Sequence, residues 1–203
     1  DCCYAMMQAV QQGLIPKVLL NMMNENGKIS RSHGLPLSIL NQQAQKMQLP
    51  MEAVPATWGD YEAQFISTLK TLKAKFDLEA AIFGDIDLQS HKEWEEKVCK
   101  EAELKAILPL WSQNRIGLVD EMIEKGIVTM IVSCNLEMGE RYLGRILTIA
   151  LAQELQEKGI DPCGENGEFH TLVMNCPLFS EAIELPAFTT RTYKDYCFIV
   201  WES

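Results

Sequence analysis

Positive charge is scarce in this 203-residue chain: 18 Lys and Arg stand against 28 Asp and Glu, a net charge of -10. No basic run breaks that balance, so the surface would repel a phosphate backbone and nucleic-acid binding is not expected. Long apolar runs are missing too; none approaches a membrane span, and the opening residues do not read as a charged leader with an apolar segment behind it, so a cytoplasmic location is expected and no membrane partner. The seven cysteines (Cys2, Cys3, Cys99, Cys134, Cys163, Cys176, Cys197) contain no C-x-x-C pair. They read as reduced thiols, most of them small buried hydrophobes. Cys163, His170 and Cys176 fit no standard zinc spacing, and no metal-ligand set is expected.

What is present is ordinary for a globular protein: 47% hydrophobic and 23% charged residues, in a length that suits one large domain or a main domain with a small second one. The periodicity predicts a helix over Cys2–Gly13, a buried strand over Lys17–Met23, a helix from Pro36 and a short strand near Met51–Val54. A helix over Gly59–Lys75, a strand Ala80–Phe83, a helix Asp87–Glu103 and a strand Lys105–Leu108 follow. That alternation is the signature of a doubly wound, mostly parallel sheet, in which ligands sit beyond the carboxyl ends of the strands. The loops at that edge are 24–34, 84–87 and 109–113. Past a soft boundary near residue 112 the pattern loosens: helices near Gly117–Lys125 and Arg145–Lys158, a strand Ile127–Ser133, then mostly strand signals to Trp201. The expected domains are therefore 1–112 and a smaller α+β part, 113–203.

The densest chemistry lies at 163–170, where Gly164 and Gly167 accompany Glu165, Asn166, Glu168 and His170 just before the apolar Thr171–Met174. Glycines let the backbone approach a ligand, the carboxylates and amide supply acceptors and donors, and His170 titrates near neutrality. The segment reads as a functional loop delivered by a strand, or as a solvated turn that only needs its glycines.

Three blocks carry a resemblance: Gly84, Asp85, Ile86 and Asp87 followed by Glu96–Cys99 and Pro109–Trp111; Gly144 and Arg145; and Cys163–Thr171 with Cys176–Phe179. From end to end the chain resembles the diphthine-ammonia ligase family, a branch of the N-type ATP pyrophosphatases of the adenine nucleotide alpha hydrolase superfamily. The resemblance implies a HUP-type nucleotide-binding domain and an ATP-dependent ligase that adenylates a carboxylate and transfers ammonia to it. ATP with transient Mg²⁺ is the implied cofactor set, and the implied partners are ammonium and elongation factor 2 carrying diphthine, with a homodimer as a candidate assembly. The family's phosphate grip is a Ser-Gly-Gly-Lys-Asp loop after the first strand; here Asp1 looks like the last residue of that loop, and a glycine-rich segment is expected ahead of it. A doubly wound sheet that opened with a helix would also leave its central strands without a neighbour.

The expected nucleotide contacts are Asp1, Asn21, Met22, Met23, Arg31, His33, Gly84 and Asp85. Asp87, Gly164, Asn166 and Gly167 are expected to hold the acceptor; Asp85 and Asp87 also read as Mg²⁺ or ribose ligands, and Asp87 as a helix cap. Glu165 and Glu168 would attract ammonium or a trimethylammonium group, and His170 would move a proton during amide formation, the three facing the nucleotide across the domain boundary. His91 and Glu95 share a helix face and read as solvated surface; Trp58, Trp94 and Trp111 read as core or packing residues. The alternative is a regulatory protein on the same scaffold that binds nucleotide without turnover, or a related ligase with another acceptor.

Overall fold

The computed structural model describes residues 1–202, and the chain divides into two compact units: 1–28 with 48–113, and 29–47 with 114–203. The segment 29–47, which the sequence reading grouped with the first domain, thus packs with the second. Among the described residues no helix is long and apolar enough to cross a membrane.

The first unit holds α1 (Cys2–Gln11), β1 (Leu19–Met23), β2 (Met51–Pro55), α3 (Tyr61–Phe76), β3 (Ala80–Ile82), α4 (Gln89–Glu101) and β4 (Lys105–Ile107). Its strands are parallel, as the alternation predicts, but they form two pairs, β1 with β2 and β3 with β4, and no hydrogen bond joins one pair to the other among the described residues. The core is built from Phe65, Ile66 and Leu69 of α3 against Val98 and Cys99 of α4, with Met22 and Leu104. Each fully buried side chain of this kind contributes about 2 kcal/mol of apolar burial. Leu69 and Leu72 recur with Phe65 at the spacing that puts them on one face of α3, which is why that helix survives with lysines along its other side. It ends where Asp77 adopts a left-handed φ of 53°.

The second unit contains α2 (Leu37–Lys46), α5 (Arg115–Glu124), β5 (Val128–Asn135), a 3-10 turn at Glu140–Tyr142, α6 (Ile149–Glu157), β6 (Phe169–Asn175), β7 (Phe188–Tyr193) and β8 (Tyr196–Trp201). The four strands form an antiparallel sheet in the order β6-β5-β8-β7. Ile131, Cys134, Phe169 and Cys197 pack with Tyr142, Leu151 and Leu155 into its core.

Three local readings are corrected. The helix expected from Arg145 begins four residues later, at Ile149, because 144–147 runs extended along β5: Gly144 N donates to Ile131 O, Ile131 N to Arg145 O and Leu147 N to Thr129 O. Thr148 then caps α6, its Oγ1 accepting from Leu151 N at 3.2 Å. Glu95 is 4% exposed rather than solvated, since α4 turns it inward with Val98 and Cys99. Trp58, expected to be a core or domain-packing residue, is 76% exposed on the loop after β2; Trp94 does pack on the core.

Glu154 ties α6 down. It accepts hydrogen bonds from Arg145 Nη2 (3.0 Å), Lys158 Nζ (2.7 Å) and Tyr142 Oη (2.8 Å). Arg145 first, then Lys158 and Tyr142, hold its carboxyl down at about 2. A depressed carboxyl stabilises the fold above its unfolded value and loses that contribution as pH falls toward the folded one. We therefore expect the melting temperature to drop more steeply between about pH 4.5 and 2 in the native chain than in Glu154→Gln. The difference should shrink in molar salt, because the cluster is open to solvent; parallel acid limbs in the two proteins would refute this.

Candidate functional site

The loop between α6 and β6 is organised by a residue that the sequence reading passed over. Asp161, with 6% of its side chain exposed, accepts at Oδ1 from Cys163 N (3.1 Å) and at Oδ2 from Glu165 N (2.9 Å). Arg115, at the start of α5, closes on the same Oδ2 at 2.5 Å and also reaches Asn166 Oδ1 at 3.1 Å. A carboxylate that satisfies two backbone N–H groups and one guanidinium makes the loop a single rigid object. Its turns are completed by Gly164 N donating to Asp161 O and Gly167 N to Gly164 O. Gly164 takes φ +71°, and a Cβ there would stand 2.7 Å from Phe169 O, so glycine is required. Tyr196 Oη, from β8, donates to Gly167 O at 2.8 Å.

On this frame Glu168 is half-buried. Its Oε1 accepts from Asp161 N (3.3 Å) and Asn166 Nδ2 (3.2 Å), while Oε2 is buried with no hydrogen-bond partner among the described residues. Glu168 also lines a cavity of about 240 Å³ with Asn135, Glu137, Arg141, Lys158 and Ile160. Both signs of charge therefore border one small space. Cys163 Sγ donates to Arg115 O at 3.1 Å, and burial followed by the charge of Asp161 pushes its thiol up to about 12. It stays protonated at neutral pH and is no nucleophile.

His170 is the second residue of β6, paired across the sheet with Ser133 of β5. Its ring lies 5.0 Å from that of His33, which belongs to the same unit although it sits far away in sequence. Burial lowers the pKa of His170; that of His33 is lowered too, first by desolvation from the groups crowded around it and then by the charge of His170, although the residue itself is exposed at the surface. Arg31 lies in the same turn as His33, in the second unit.

The remaining predicted residues are in the first unit. Asn21, Met22 and Met23 end β1, opposite Ala53, Val54 and Pro55. The Asn21 Oδ1 atom is buried and has no hydrogen-bond partner among the described residues, an acceptor left over in the middle of the five-residue strand. Asp1 precedes α1 and its carbonyl accepts from Ala5 N. Gly84 follows β3 where α1 begins: a Cβ would stand 2.5 Å from Cys2 N. Asp85 Oδ1 lies 2.6 Å from His91 Nδ1. Asp87 does not cap α4; Leu88 is in that position, with no side-chain cap.

A unit of helix-covered parallel strands with a leftover acceptor on one of them, and a sheet unit with a rigid acidic loop beside a histidine pair, make this a two-unit α/β protein. Models of the diphthamide synthase N-terminal and C-terminal domains match residues 1–106 and 114–201. The chain belongs to the diphthamide synthase family, and its relatives make it a ligase. It is 28% identical to the diphthine–ammonia ligase of Danio rerio over 84% of this chain and 68% of that one. It is 27% identical to those of Mus musculus and Homo sapiens over 90% of this chain and 78% of each. A solved structure described as a subunit of tRNA methyltransferase from Methanocaldococcus jannaschii superposes with a TM-score of 0.43 at 13% identity, over 87% of this chain and 93% of that one.

Proposed function

We propose that the chain forms an amide from ammonia and the carboxylate of a diphthine side chain on elongation factor 2, by way of an acyl-adenylate, with AMP and pyrophosphate released. The observation that carries this reading is the loop Asp161–His170, built rigidly around Asp161 in a chain that matches both domains of the family. Adenylation needs positioned reactants and a stabilised phosphoryl transition state, not a side-chain nucleophile, which agrees with the protonated state of Cys163.

In this reading the Asn21 Oδ1 acceptor and the backbone at Met22 and Met23 take the adenine, and Gly84 leaves room for backbone close to the nucleotide. To Asp85, whose Oδ1 also meets His91 Nδ1, and to Asp87 we assign a nucleotide-borne Mg²⁺, which would neutralise phosphate charge. Asp1, in the first unit, remains a candidate for the phosphates. Glu165 and Glu168 draw in the cationic acceptor and ammonium, Gly164, Asn166 and Gly167 shape the approach, and His170 takes the surplus proton.

Incubating the chain with ATP, ammonium and elongation factor 2 bearing diphthine should yield one AMP per amide formed, read by mass spectrometry of the modified peptide. Binding of ATP with no AMP produced in the presence of that acceptor would overturn the reading in favour of a nucleotide-binding regulator.

A further inference from the structure

The second unit sets three residues from separate stretches of sequence along one row. Ser133 of β5 pairs with His170 of β6 on one side and with Phe198 of β8 on the other. The register of β5 on β6 shifts between Ile131 and Ser133, and Ser133 with His170 is the first opposed pair beyond that shift; residues opposite one another in a sheet place their side chains on the same face, with Cβ atoms about 5 Å apart. Ser133 is fully buried, and its Oγ has no hydrogen-bond partner among the described residues. Such a hydroxyl still has both a proton to give and lone pairs to offer.

The turn that carries His33 is laid over this row. A Cβ on Gly34 would stand 3.6 Å from Phe198 Cδ1, and the rings of His33 and His170 are 5.0 Å apart and tilted by 51°. The turn is firmly built: Ser30 is 2% exposed, its Oγ accepts from Leu35 N at 3.0 Å, its N–H donates to Leu35 O and its carbonyl accepts from Gly34 N. A bridge from Ile29 to Pro36 closes its base. His33 is thus presented by a rigid strap and not by a wandering loop.

We propose that His33 is a positioning residue for His170: it covers the His170 ring and holds it beside Ser133, so that His170 accepts the proton released on amide formation. This rests on the ligase reading above. In that step the ammonia nitrogen bonds to the acyl carbon, and the C–O bond to AMP breaks, with its electron pair leaving on the phosphate oxygen. The extra proton on nitrogen passes to a ring nitrogen of His170, which must be uncharged to receive it. Cover by His33 keeps water from His170, and burial favours the neutral ring. The charged groups on the surrounding elements are Arg31 in the same turn, Glu168 two residues upstream on the way into β6, and Arg191 of β7, opposite Phe198. The nearer strand partners, Ser133 and Phe198, carry none.

With three histidines in the chain, each ring can be followed by NMR titration, and His91 of the first unit is the internal reference. In His33→Ala the midpoint of His170 should move up toward the ordinary value of about 6.5, and the acid limb of the amide-forming step should move up with it. His33→Phe keeps a ring over His170 and should leave its midpoint low. If His33→Ala does not fold, His33→Gln, which keeps bulk without a ring, is read in the same way. A His170 midpoint identical in the native chain, His33→Ala and His33→Gln overturns the proposal, even if amide still forms. A midpoint that shifts in a chain forming no amide supports the positioning role and removes the ligase reading instead.

Discussion

Glu168→Gln is expected to lower amide formation by about two orders of magnitude or more, the range seen when a single positioned catalytic or charge-stabilising group is lost. The substitution keeps the shape and leaves an oxygen to accept from Asp161 N and Asn166 Nδ2. What disappears is the charge, together with the carboxylate oxygen that has no protein partner. A carboxylate with one oxygen committed to the loop and the other in reserve is suited to a cation brought by the reaction, either ammonium or the quaternary group of the acceptor. Stability should change by no more than about 1 kcal/mol, the net value of an ordinary hydrogen bond. The small cost, as against none at all, comes from the half-buried position of Glu168. Single-turnover assays at saturating ATP, with thermal melts alongside, check both halves; full activity in the variant would reduce the motif to a structural turn.

Asp161→Ala should damage the same site by a different route. It removes the acceptor of two backbone N–H groups and of Arg115, and strands those donors in a place where the carboxylate itself was 6% exposed. Breaking such a cluster from one side costs about 2–4 kcal/mol, because the remaining groups keep their desolvation penalty. Asp161→Asn retains one oxygen acceptor and should fall between the two. Chemical denaturation gives the energies. Hydrogen exchange at Cys163 and Glu165 should show those amides freed in the alanine variant, with the amides of α3 and α4 unchanged. Protection retained at both positions would mean that the loop is held by its glycine turns alone.

The elements themselves were legible in the sequence. Apolar spacing located α3 and α4 to within a few residues, and the glycine-and-carboxylate cluster before Thr171 marked a built loop. Those signals are local: helical periodicity, strand runs and turn residues act over a few positions, and a chain states them wherever it goes. Start points such as Ile149 were missed because Gly144–Leu147 is held extended by β5, a partner that lies more than ten residues upstream. Trp58 reads as a core or packing residue because its size is all that a sequence can report of it.

The frame of the candidate site was illegible for a stronger reason. Asp161 precedes a proline and reads as any turn aspartate; only the return of α5, with Arg115 at its first turn, makes it the centre of the loop. Arg31 and His33 precede α2 and look like part of the nucleotide half, yet the turn lies over a strand row formed by residues 133, 170 and 198. The class of the fold, the acidic surface and the motif at 163–170 are properties of sequence alone, since they depend on composition and near-neighbour spacing. Which histidine meets His170, which carboxylate holds the loop and which acceptors are left unpaired were decided by tertiary structure, because contacts between distant segments depend on strand order and register, and no local pattern encodes those.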